Sequence, residues 1–368
     1  MSEPMSRLRL AEEIADAFQR EGIRYAVVHG TFKYPQSIGR DLDLVTTRAD
    51  AIKGIRIAVD TATRCGYTKS ISRWSHWGLY QLSLIREDEQ EGLPIDFCIA
   101  LWRAKWIQLL YPDLMHRMIE GDGVVGPFRV SEEGRFIKAC VRPLLCGELR
   151  YFRNEYPLPV TIPEQIDREW LVDVIGRTGL WLLASSSFEE LQNRYSLRRL
   201  QRGWVARHPI GALKSFAQSI FCRIQRALFD AADVIVVDTP RPDAVDQAVE
   251  ALKPELKKLF LELHYYRAPK SVIVMRLGLG FGWRSLPISE FRLAIVARKA
   301  AVGQGKMWPG KGRRLLDADC YCDIPDANAE TMREQLRRSL LDFVYSRYGV
   351  TSGQSLKPAS EQSAGDCP

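Results

Sequence analysis

Apolar residues in the first hundred positions follow helical and strand spacings in turn. Leu8, Ile14, Ala15 and Phe18 lie near helical spacing over residues 6–21, and Gly22 closes the stretch. Ile23–Val28 reads as a first strand around the run Tyr25-Ala26-Val27-Val28, and Leu42–Val45 as a second. Between them, Lys33–Gly39 is a loop carrying Pro35 and Gly39. Asp50–Cys65 returns to a helical period and stops at Gly66. Trp74–Ile85 reads as strand material, with Leu79, Gln81, Leu82, Ser83 and Leu84 partly alternating. An acidic turn over Glu87–Gly92 leads into a further strand, Leu93–Ile99, which carries Asp96. The order helix, strand, loop, strand, helix and two strands predicts a small mixed α/β unit.

Further along, residues 101–155 read as mainly helical, interrupted by a Gly-containing turn and short strand over Gly121–Val130. Pro157–Pro163 holds three prolines and is a candidate linker. Residues 165–230 read as helical. Ala232–Val237 then reads as a buried strand and Asp243–Phe260 as the helix after it, which opens a second α/β unit. Gly278-x-Gly280-x-Gly282 follows a short strand, Val272–Met275, and reads as a loop because no acidic ribose partner lies downstream. From Thr351 the chain is rich in Ser, Gly, Gln and Pro, the composition of a disordered tail. The expected divisions are 1–155, a helical basic connector over 156–230, 231–350 and the tail 351–368.

Composition narrows the class. At 368 residues, two domains are the natural expectation. Apolar content of 46% and charged content of 26% belong to a soluble globular protein. No stretch approaches the roughly 20 apolar residues of a membrane span, and the N-terminal residues contain no apolar signal core, so the expected location is cytoplasmic. The eight cysteines are scattered. Cys320-Tyr321-Cys322 has a single intervening residue and no second pair, which argues for reduced thiols rather than a zinc site. The net charge of +7 is concentrated: Ser196–Phe229 holds seven Lys/Arg and no Asp or Glu. With Trp204, Phe216, Ile220 and Phe221 interspersed, Arg198–Arg226 reads as a solvated helical face or as a contact with an anionic membrane surface at the inner face. Nothing in it resembles a sequence-reading motif, so no specific nucleic-acid partner is expected.

The chemistry concentrates in one place. Asp41 and Asp43 stand two apart in an apolar run, a spacing that projects both from one face of a strand. Carboxylates held this close repel each other, and cations between them relieve that. Gly30-Thr31, eleven residues upstream, follows the first apolar strand, where a residue without a β-carbon lets backbone approach a phosphate. Asp96 stands alone in its strand, and an unpaired buried aspartate costs several kcal/mol, so it calls for a partner such as a cation. The competing reading of Asp41-x-Asp43 alone is a solvated strand end. Arg40 is placed to reach a phosphate or to lie in solvent; His29 and His76 to contact substrate or to serve structure. Trp74, Trp77, Trp102 and Trp106 suit either base stacking or core packing.

Gly30-Thr31, Asp41-x-Asp43 and the apolar-Asp96-apolar strand resemble the nucleotidyltransferase fold of the DNA polymerase β type. The resemblance implies an α/β (α+β) fold, magnesium bound by Asp41, Asp43 and Asp96, Asp96 as ligand or catalytic base, and a triphosphate held by Gly30 and Thr31. Threonine at 31 departs from that family's serine or glycine. The implied partners are a nucleoside triphosphate and a hydroxyl acceptor. The chain is also similar to nucleotidyltransferase-like proteins of bacterial surface-polysaccharide gene clusters, some of which carry a thymidylate-kinase-like C-terminal domain. Here the matching segment, Val234–Val245, has Thr239 and two prolines but neither glycine nor lysine, so it lacks what a phosphate loop needs. His264-Tyr265-Tyr266-Arg267-Ala268-Pro269 and Asp319-Cys320-Tyr321-Cys322-Asp323 resemble further kinase segments, the latter with cysteine at the arginine position. The resemblance thus implies a degenerate kinase-like domain, and the alternative function is a non-catalytic nucleotide-binding or scaffolding protein. A third option, a transferase acting on tRNA or protein, has the basic segment as its sole support.

Overall fold

A computed structural model describes residues 6–29, 34–39, 41–75, 79–88, 90–99, 124–125, 127–129, 133, 136–141, 144–145, 160–164, 166–185, 194–225, 233–259, 261–267, 291–299, 307–309, 318–325 and 328–351. The chain is mixed α/β, with one mixed sheet near its start and one largely parallel sheet near its end.

The first unit opens with α1 (Arg7–Arg20), capped by Ser6, whose hydroxyl accepts the Arg9 N–H. Leu10, Ala11, Ile14, Ala15, Ala17 and Phe18 are its buried residues, the stripe expected of a helix lying on a sheet. Then come β1 (Tyr25–His29), β2 (Leu42–Thr46), α2 (Arg48–Arg64), β3 (Lys69–Ser75), β4 (Leu79–Ile85) and β5 (Gly92–Cys98). α2 is capped by Thr47, which accepts from the Asp50 N–H at 3.1 Å and donates its hydroxyl to the Asp50 carboxylate at 2.7 Å. Gly66 follows α2 at φ +85°, a conformation glycine adopts without strain. Gly54 serves another purpose: a β-carbon there would lie 3.1 Å from the Phe97 ring, so its absence lets α2 sit close on β5.

The strands order as β1-β2-β5-β4-β3, antiparallel except for the central pair β2/β5. α1 and α2 cover one face, on which Leu42, Leu44, Leu82, Leu84, Leu93, Ile95 and Phe97 form the core. Alternation along the strands therefore sends Asp43, Gln81, Ser83 and Asp96 to the opposite face. The single stretch expected over Trp74–Ile85 is instead two strands: β3 starts at Lys69 and pairs antiparallel with β4.

The middle of the chain is described in part. β6 (Val124–Val125) and β7 (Phe128–Arg129) form a short hairpin, and a π-helical turn spans Ile137–Val141. α3 (Arg168–Ser185), α4 (Arg194–Arg207) and α5 (Pro209–Gln225) follow. Leu171, Leu182, Leu200 and Trp204 from these helices enclose Val45, Leu79 and Cys98 of the first sheet in a common core. The proline-bearing segment read as a linker is pinned where it is described, with Val160 buried and its N–H donated to the Leu183 carbonyl at 2.8 Å.

The second sheet comprises β8 (Asp233–Thr239), β9 (Leu261–Arg267), β10 (Phe291–Lys299), β11 (Met307–Pro309) and β12 (Cys320–Asp323) in the order β11-β12-β8-β10-β9. All neighbouring pairs are parallel except β11/β12. α6 (Pro242–Lys258) and α7 (Ala329–Tyr348) bury Val245, Val249, Leu252, Leu336 and Leu340 with Ile235, Val237, Leu263 and Ile295. Asn328 caps α7 by accepting the Thr331 N–H at 2.8 Å. We expect Asn328→Ala to cost about 1 kcal/mol, read as a lowered urea midpoint with unchanged slope.

The C-terminal end of α7 reaches back to the first sheet. Ile71 and Ile85 enter the α6/α7 core, Gly349 bridges to Ile71, and the Val350 N–H donates to the Ser70 carbonyl at 2.9 Å. Lys69 lies over the Tyr345 ring and Arg73 over the Tyr348 ring. Beneath these contacts, Tyr348 donates to Asp233 Oδ2 at 2.5 Å. Arg347 meets Asp319 at 3.0 Å and Asp233 at 3.4 Å. Asp319 accepts the Val234 N–H through its other oxygen, fixing β12 against the start of β8. Burial alone would lower the Arg347 pKa, but the Asp233 and Asp319 carboxylates outweigh it and raise it.

Among the described residues, no helix is long and apolar enough to cross a membrane. Cys320 and Cys322 are buried, and burial pushes both thiols up, Cys320 to about 12, so they remain protonated.

Candidate metal centre

The three aspartates singled out in the sequence meet. Asp41 precedes β2, Asp43 lies within it, and Asp96 lies in β5, its register partner across the parallel pair. One carboxylate oxygen from each falls within 4.8 Å of the others. Parallel pairing at the sheet centre brings together residues 53 positions apart (96 less 43). An octahedral magnesium ion with oxygens at about 2.1 Å spaces neighbouring ligands about 3 Å apart and opposite ones about 4.2 Å. The three oxygens thus lie near the spacing that one ion imposes on its ligands.

Burial grades the three. Asp41 and Asp43 are half-buried, whereas Asp96 is 5% exposed. Asp96 Oδ1 has no hydrogen-bond partner, an orphaned buried acceptor that a cation would satisfy. Burial first, and then the Asp41 charge, push the Asp96 carboxyl up to about 8, with the Gln81 amide offsetting part of the rise. A carboxyl so placed holds its proton at neutral pH unless positive charge arrives beside it. Hard oxygen donors, an orphaned acceptor and clustered carboxylates together fit magnesium. Among the described residues, no other set of three His, Cys, Asp or Glu side chains is so arranged.

A residue not picked out from the sequence joins this row. Gln81 on β4 stands in register with Asp96, is 3% exposed, and its buried Nε2 lies close enough to favour the Asp96 carboxylate while missing the geometry of a full hydrogen bond. Arg73 on β3 continues the same register. The row Asp43, Asp96, Gln81, Arg73 thus crosses four adjacent strands on the face away from α1 and α2, changing from anionic to cationic. A neutral amide in an alternating strand carries no sequence signal of its own; only the strand register identifies it.

Gly30, Thr31 and Arg40, expected around the triphosphate, lie outside the described residues, as do His76, Trp77, Trp102 and Trp106. So do the glycine run Gly278–Gly282 and the tail beyond Thr351. Of Trp74 and His29, the backbone strands alone are described.

Among the described residues, the second sheet has no comparable site at the matching place. β8 passes into α6 through Pro240 and Arg241 alone. Asp238, at the end of β8, is gripped by Arg298 at the end of β10 through two bonds of 2.6 Å, the bidentate geometry that saturates a carboxylate.

Compared with protein-family models, with curated proteins and with solved structures, the chain finds no match in any of the three.

Proposed function

We propose that the chain is a magnesium-dependent nucleotidyltransferase acting on a hydroxyl acceptor. The observation that carries this reading is the convergence of Asp41, Asp43 and Asp96 with an orphaned Asp96 oxygen among them. Asp41, Asp43 and the orphaned Asp96 oxygen would hold the ion, which supplies charge neutralisation at the triphosphate when bound. The acceptor hydroxyl attacks the α-phosphorus, the bond to pyrophosphate breaks, and the hydroxyl proton passes to the Asp96 carboxylate. Gln81 donates its amide N–H groups beside Asp96, where they orient the carboxylate or a substrate oxygen. The nucleotidyltransferase resemblance of the DNA polymerase β type supports this reading, as does the position of Asp43 and Asp96 on neighbouring parallel strands. An acceptor among sugars or carrier-linked precursors of surface polysaccharide follows from that resemblance alone.

A second reading, nucleotide binding without catalysis, draws on the C-terminal unit. There the Asp238–Arg298 pair and the short turn into α6 occupy the place where a kinase phosphate loop would sit. In both readings that unit is a degenerate, non-catalytic kinase-like domain.

Calorimetry with nucleoside triphosphates, with and without magnesium, tests the site. The wild type is expected to bind in a magnesium-dependent way, and Asp41→Ala/Asp43→Ala to bind about 100-fold more weakly or worse, since even residues behind metal ligands are worth 10–100-fold. Equal binding by both proteins would sink the proposal. Pyrophosphate release on incubation with acceptor mixtures separates the catalytic reading from the binding one.

A further inference from the structure

The acidic centre leaves the middle helices without a role, and these present a surface of unusual character. On α5, Ile210 is 82% exposed, Leu213 69%, Ile220 44% and Phe216 39%. Their spacing of three, three and four places them along one side of the helix. Ala212, at the edge of the stripe beside Phe216, is buried in the core shared with α3 and α4, so α5 is anchored along that edge while the stripe faces outward. Lys214 is exposed at the stripe's flank.

The preceding helix supplies charge. On α4, Arg198, Arg199 and Arg202 are exposed on the side away from buried Leu197, Leu200 and Trp204. Among the described residues none of the three has an ion-pair partner, and the sequence from Ser196 to Phe229 contains no carboxylate at all. The corner between the helices is fixed. Arg207 donates to the Asp173 and Val174 carbonyls of α3 at 2.9 and 3.2 Å, and His208 meets the Asp173 carboxylate at 3.5 Å. A clamped corner holds the apolar stripe in place, facing out.

We infer that α5 is a membrane-docking helix that lies in the interface of an anionic bilayer, with the α4 arginines on the lipid headgroups. The chemistry favours this occupant. A bilayer offers acyl depth for Ile210, Leu213, Phe216 and Ile220 together with a negative surface for the arginines. Nucleic acid offers the charge without the apolar depth. A second copy of the chain, docked face to face, would set two wholly basic segments against each other. α5 has 17 residues, is apolar along one side, and lies on the surface rather than across it.

This inference is independent of the metal centre and is tested without nucleotide. The full chain is sedimented with vesicles of phosphatidylglycerol and phosphatidylcholine, and with phosphatidylcholine alone, at low and high salt. The wild type is expected to partition to the anionic vesicles and to release as salt rises. Ile210→Asp/Leu213→Asp is expected to lower that partition about tenfold or more. Arg198→Glu/Arg199→Glu/Arg202→Glu is expected to lose the anionic preference, a change of about 100-fold. All of these side chains are exposed, so melting temperatures stay at the wild-type value and confirm folded variants. Failure of the wild type to bind anionic vesicles, or unchanged binding by both variants, overturns the inference. A wild-type dimer that Ile210→Asp/Leu213→Asp converts to monomer, with vesicles ignored, overturns it too and assigns the stripe to self-association.

Discussion

Asp96→Asn is expected to lower transfer by about a thousandfold while making the metal-free protein more stable above pH 8 than the wild type. The loss follows from removing a ligand and proton acceptor from a site whose chemistry is electrostatic. The gain follows from linkage. The Asp96 carboxyl is raised to about 8 by burial and by Asp41, against an ordinary value near 3.9 when unfolded. Between about pH 4 and pH 8 the native state therefore holds a proton that the unfolded state has released. Stability falls as pH rises through that window, by up to about 1.4 kcal/mol per unit. Asparagine, close in shape to the protonated carboxyl, removes that slope. The two proteins should melt together near pH 4–5 and diverge by several °C at pH 8. Magnesium at pH 8 should raise the melting temperature of the wild type and leave Asp96→Asn unmoved. Parallel melting curves at every pH would place Asp96 outside the ionising site.

Arg347→Leu is expected to be the most destabilising single change outside the apolar cores. Arg347 answers both Asp233 and Asp319, whose side chains are 8% and 3% exposed. Truncating it strands two buried carboxylates, and breaking a buried pair from one side costs about 3–5 kcal/mol. The melting temperature should drop by roughly 10 °C. Arg347→Leu combined with Asp233→Asn and Asp319→Asn should recover much of the loss, because the variant then buries no unpaired charge. A triple variant as unstable as Arg347→Leu would mean that the arginine contributes through packing.

Much of the site was legible because carboxylates in or beside apolar strands stand out from the pattern around them, as Asp43 and Asp96 do within strands and Asp41 does just before one. Strands β2 and β5, and helices α1, α2 and α6, follow local periods and could be read one at a time. β3 could not: Lys69-Ser70-Ile71-Ser72-Arg73 has one apolar residue, as suits an edge strand, and its meaning comes from pairing with β4. Gln81 and the Asp238–Arg298 pair were hidden for a related reason. The first acts through a neighbouring strand, and the second joins residues 60 positions apart, so neither leaves a local mark. The exposed stripe of α5 lay in between. Its residues are visible in the sequence, but helical spacing alone does not say which side the protein covers.

The docking of Gly349 and Val350 on β3 has a consequence for biosynthesis. Ile71 and its bridge partner Gly349 are separated by 278 residues (349 less 71). At about 5–20 residues per second, a ribosome takes roughly 14–56 seconds to travel that distance. For that time β3 stands without the Gly349 bridge and the Val350 N–H, so the backbone at Ser70 and Ile71 is open to another strand. The basic, serine-rich character of Lys69–Arg73 suits such a wait, because charge discourages strand addition. Chains that stop short of residue 349 keep that backbone open permanently. Truncated products are thus expected to aggregate through the first sheet, although its own residues are intact.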